Sequence, residues 1–138
     1  SGTAGVGNGN DQRGVFIARS SVVQAAGTGN VLITGVGGEP GGVSDRSEGI
    51  EVNGTVEALG TGNLTLNGTA GGSGGDSDDN VGVIVADNNA IIRVNDGALS
   101  ITGQGGGGDA SAPEALVTSV ARTSERWRFR ASEKTAPA

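Results

Sequence analysis

The hydrophobic residues of this chain fall in short alternating groups, separated by Gly, Asn and Asp, and each group returns at a nearly constant distance. One kind reads Gly14-Val15-Phe16-Ile17, then Gly49-Ile50-Glu51-Val52, then Gly82-Val83-Ile84-Val85. A second reads Val23-Gln24-Ala25, Val56-Glu57-Ala58 and Ile92-Arg93-Val94. The third carries the apolar pairs Val31 and Ile33, Leu64 and Leu66, Leu99 and Ile101, and its closing glycines stand at Gly2, Gly35, Gly68 and Gly103, at spacings of 33, 33 and 35. Alternation with period two predicts strands with one apolar face. A fixed period of this size predicts a stack of repeats.

Alternation places Val15, Ile17, Val23, Ala25, Val31 and Ile33 on the inner faces of three strands, and their equivalents one and two periods on. Three strands per turn of about 33 residues predict an all-β fold, a right-handed single-stranded parallel β-helix (β-solenoid) of about three coils. Equivalent outward residues then stack. Gln24, Glu57 and Arg93 bring opposite charges into neighbouring rungs, Thr34, Asn67 and Thr102 form a polar column, and the column begun by Asn30 and Asn63 is interrupted at Ala98. Glycine-rich loops of varying length at 36–48, 70–80 and 103–112 separate the coils. The repeats thus occupy 1–109, and 110–138 is a distinct C-terminal segment, where Ala115-Leu116-Val117 falls in the phase of a degenerate fourth coil.

Composition sharpens this picture. With 34% hydrophobic and 2% aromatic residues and 28 Gly, the chain is too poor in bulk for an ordinary globular core, yet a disordered linker has no reason to keep a repeat phase. It has no Cys, His, Met or Tyr, which excludes disulfides, thiolate zinc sites and cysteine nucleophiles. A chain without Met that opens inside a repeat reads as a processed or excised piece. No apolar run reaches transmembrane length. Residues 1–109 hold twelve acids and four bases, while 110–138 hold three acids and five bases. The acidic body argues against nucleic-acid binding, and the opposite signs favour attraction between copies.

The repeats, with Gly-Thr-Gly-Asn-(apolar)-x-(apolar)-Thr/Asn-Gly and Gly-(apolar)-x-(apolar), resemble those of filamentous-haemagglutinin-type and autotransporter-type bacterial surface proteins over residues 1 to about 108. The resemblance is one of repeat style. It implies a secreted β-helix at the cell surface or in a matrix, acting in adhesion or as a fibre, and it brings no catalytic residues. The expected function is a structural protein whose copies stack head to tail into an extracellular filament. The alternative is an adhesin passenger that binds a surface glycan or host receptor.

Candidate chemistry changes little. Arg126-Trp127-Arg128-Phe129-Arg130 alternates aromatic with cationic. With Leu116 and Val117 it is the candidate assembly interface, either closing its own solenoid or docking on the next copy. Asp87 and Asp96 sit at corners where Asp is a usual turn residue, without the second carboxylate that acid/base catalysis needs, so no enzymatic activity is expected. Gly71-Gly72-Ser73-Gly74-Gly75-Asp76-Ser77-Asp78-Asp79 matches the first part of a calcium-binding nonapeptide, but Asp78 fills the slot that should be apolar. Asp76, Asp78 and Asp79 are therefore weak candidates for an incidental calcium ion, and no other cofactor is implied. Asn53, Asn63 and Asn67 each open an Asn-x-Thr sequon, a pattern common by chance in a chain of this composition.

Overall fold

The computed structural model describes residues 1–5, 11–38, 46–71, 80–106, 120–123 and 126–129. Among these the chain forms strands and turns with no helix. Apart from a short opening strand, β1 (Gly2–Thr3), the strands come in three layers of three. They are β2 (Val15–Ile17), β3 (Val22–Gly27) and β4 (Val31–Val36); β5 (Ile50–Val52), β6 (Thr55–Gly60) and β7 (Leu64–Thr69); β8 (Val83–Val85), β9 (Ile91–Val94) and β10 (Leu99–Gln104). Two further strands follow, β11 (Val120–Thr123) and β12 (Arg126–Phe129).

Each strand pairs in parallel with its equivalent one layer on, giving a β-helix-like stack with sheets ordered β1-β4-β7-β10, β2-β5-β8 and β3-β6-β9-β12-β11. The register is the one the repeat predicts: Val15 pairs with Ile50, Val23 with Val56, and Val31 with Leu64. β12 is the departure, because it joins the third sheet antiparallel to β9.

One apolar cluster draws on all three sheets. In the middle layer every predicted inward residue is buried: Ile50, Val52, Val56, Ala58, Leu64 and Leu66 are all 0% exposed. The outer layers lack a neighbour on one side, so Val15, Ala25, Leu99 and Ile101 are only partly buried and Val23 is 36% exposed.

Glycine serves mainly to let backbones touch. A Cβ on Gly2, Gly35 or Gly68 would lie under 3.0 Å from the carbonyl of Gly14, Gly49 or Gly82, where the end of one sheet meets the start of the next. Left-handed backbone is confined, among the described glycines, to Gly27 and Gly60, with φ of 63° and 135°.

The asparagine column is longer than its sequence suggests. Asn63 N–H donates to Asn30 Oδ1 at 2.8 Å, and Ala98 N–H donates to Asn63 Oδ1 at 2.8 Å. Ala98 therefore ends the ladder as a donor rather than interrupting it at Asn63. Replacing Asn63 by Ala strands the Ala98 N–H, and a urea melt is expected to show a loss of about 1 kcal/mol. No loss at all would show that water replaces the bond without cost.

Candidate functional site

Among the described residues, three polar constellations and the two ends of the stack stand out as candidate sites. At the corner ahead of β2 and β5, Arg13 contacts Glu51, lies 3.8 Å from Glu48 Oε2, donates to Asp11 Oδ1 at 3.1 Å, and sits 5.1 Å over the Phe16 ring. Arg46 approaches the same Asp11 oxygen at 3.3 Å, and Asn53 Nδ2 donates to Glu51 Oε1 at 2.7 Å. Glu51 stands at an outward slot yet is buried beneath Arg13, and Glu48 is buried as well. Burial pushes the Glu48 carboxyl above its usual range, opposed by a backbone hydrogen bond and by Arg13.

The predicted charge column is present. Gln24, Glu57 and Arg93 are in register, and Arg93 pairs with Glu57, which it buries. The third constellation spans two layer spacings. Arg19, from the first layer, pairs with the buried carboxylate of Asp87 in the third. Asp87 Oδ1 also accepts from Asn89 N–H at 2.7 Å, the turn role its position suggested. The gap over Gly54 is a cleft of about 250 Å³ lined by polar groups, including Asn53, Thr55 and Asn89. Among the described residues, no group of three or more Asp or Glu is arranged to hold a metal.

Sequence reasoning missed Arg13 and Glu48, although both stand two places before paired strand residues, Val15 and Ile50. Opposite charges in repeat-equivalent slots were the available signal. It also missed a buried corner in which Ser47 N–H donates to Asn80 Oδ1 at 2.8 Å across 33 residues.

Of the candidate assembly residues, Arg126, Trp127, Arg128 and Phe129 form β12. Trp127, Arg128 and Phe129 take register positions opposite Val94, Arg93 and Ile92 of the same chain. Leu116, Val117 and Arg130 lie outside the described residues, as do Asp76, Asp78 and Asp79. β12 thus covers β9 in its own chain. At the opposite end, among the described residues, β3 has no strand beyond it in its sheet and is exposed along most of its length, with Val22 at 58%.

No family model, curated protein or solved structure matches the chain, so its function is argued from its own geometry.

Proposed function

We propose that this chain is a right-handed parallel β-helix with three strands per coil, and that it is a secreted structural protein whose copies stack end to end into an extracellular filament or matrix fibre. The observation that carries the reading is the state of β3. Its inward Val23 is 36% exposed, whereas the residues in the same slot one and two layers on, Val56 and Ile92, are 0% exposed. An apolar strand with a free edge is a template for another strand.

The other end supplies a fitting counterpart. β11 is antiparallel to β12 and β12 is antiparallel to β9, so β11 runs parallel to β9 and hence to β3. A β3 from the next copy that pairs with β11 continues the sheet in its original sense. Charge contributes less than the sequence implies. In the described part of the first layer, Asp11 is already engaged by Arg13 and Arg46. A head-to-tail contact of this kind propagates as a helix unless its rotation happens to close a ring.

Val23→Lys tests the reading. An inward charge at an edge blocks strand addition, while a side chain already partly exposed reaches water with little harm to the fold. The expected result is wild-type mass that rises with concentration in light scattering, filaments in electron micrographs, and a variant that stays monomeric. A wild-type monomer at high concentration refutes stacking, and a variant that assembles equally well refutes assembly through the β3 edge. The adhesin alternative is favoured by the polar cleft over Gly54, and glycan affinity in a chain that remains monomeric would be its signature.

A further inference from the structure

The outward face of the sheet β1-β4-β7-β10 differs from the other two. On β4 it presents Leu32, Thr34 and Val36, on β7 Thr65, Asn67 and Thr69, and on β10 hydroxyl and amide side chains again. No charged residue stands on it among the described residues, although the chain carries a net charge of −6 and the other two sheets hold Glu51, Glu57 and Arg93 at outward slots. Its columns are in register, Thr34 with Asn67 and Asn67 with Thr102. Short uncharged side chains stacked one rung apart form the array with which a facing sheet interdigitates.

We infer that this face packs against the same face of a second copy, so that stacked solenoids pair side by side. Two copies with net negative charge repel across most approaches, and this face brings them together without adding a like charge at the contact. Area sets a condition. Six residues per strand and three full rungs cover roughly 300–400 Å² per copy, against about 800 Å² per partner in a stable interface. A single pair of chains is thus too small to hold, and about three stacked copies reach the needed size. Lateral pairing therefore rests on the end-to-end stacking proposed above, and appears only once stacking has begun.

The chain has no cysteine, which makes crosslinking a clean probe. Asn67→Cys places a thiol near the middle of the face, and Thr55→Cys places one at an outward slot of the middle layer on another sheet. With a short bis-maleimide, Asn67→Cys is expected to link copies at least about tenfold faster than Thr55→Cys, and to fall to the Thr55→Cys rate when Val23→Lys is added. Micrographs of Thr65→Lys should show single filaments where the wild type shows paired ones. Equal linking rates in protein that visibly forms filaments overturn lateral pairing and leave stacking intact. A wild type that scatters as a monomer refutes stacking, and the inferred pairing falls with it. Thr65-dependent pelleting with microcrystalline cellulose, without copy-to-copy linking, assigns the face to a polysaccharide and overturns the inference.

Discussion

Gly68→Ala is expected to destabilise the protein by about 3 kcal/mol, a large part of the 5–15 kcal/mol that holds a typical domain together. The sign is the informative feature. An ordinary Gly→Ala change at a compatible backbone stabilises by about 0.4–1 kcal/mol through the unfolded chain. At Gly68 the new methyl would fall under 3.0 Å from the Gly82 carbonyl oxygen and from a Val83 methyl, so backbone has to move where two sheets meet. The same approach recurs one layer earlier between Gly35 and Gly49, so a shift at Gly68 disturbs a stacked column and not a single contact. Gly5 is the control. Among the described residues a Cβ there meets nothing within 4 Å, and Gly5→Ala is expected to change stability by no more than about 0.5 kcal/mol. Urea titration followed by circular dichroism measures both, and equal midpoints for Gly68→Ala and wild type would show that the sheets part without cost.

The glycines also show where sequence reading stops. Alternation identifies the strands and their inner faces because a strand has one period and one buried side; Ile50, Val52, Leu64 and Leu66 are legible for that reason. The pairing of Glu57 with Arg93 is legible because parallel in-register stacking fixes which residues are neighbours. Corner residues lack the strand's period of two, although Ser47 and Asn80 keep the repeat's spacing of 33. Ser47 and Asn80 are buried because backbone N–H groups at a bend need acceptors, a requirement set by the path of the chain and not by apolar pattern. Glycine in a sequence suggests positive φ, whereas most described glycines here are needed for close approach, which depends on a neighbour 14 residues away for Gly68 and Gly82. The antiparallel placement of β12 is likewise invisible to a pattern that predicts only continuation in the same sense. For the candidate assembly surfaces, sequence supplied the acidic body and the aromatic, cationic tail. The exposed edge at β3 required knowing which neighbour each rung lacks.

Arg13→Met is expected to cost about 3–5 kcal/mol near neutral pH, because removing one member of a buried ionic group leaves the others charged and unpartnered. Arg13 is the cation beside both Glu48 and Glu51, whose carboxylates are 5% and 9% exposed. Methionine retains much of the apolar stem but loses the guanidinium, whose carbon sits 5.1 Å over the Phe16 ring, so the loss reports the missing cation at both the carboxylates and the ring. The pH dependence follows from Glu48. Its folded pKa is raised by burial, so between the unfolded and folded values the folded state binds more protons than the unfolded state. Stability from this group therefore falls as pH rises through that window and is regained on acidification. Arg13 opposes the rise, and without it the Glu48 carboxyl moves further up. The deficit of Arg13→Met relative to wild type should then be largest at neutral pH and shrink as the solution is brought toward about pH 4, near the ordinary range of a glutamate. Adding Glu48→Gln should flatten that recovery, since the amide has no proton to gain. Thermal melts of wild type, Arg13→Met and the double variant across this range decide the matter. A deficit that stays constant with pH would assign the loss to packing against Phe16, and a double variant as pH-dependent as Arg13→Met would remove Glu48 as the responding group.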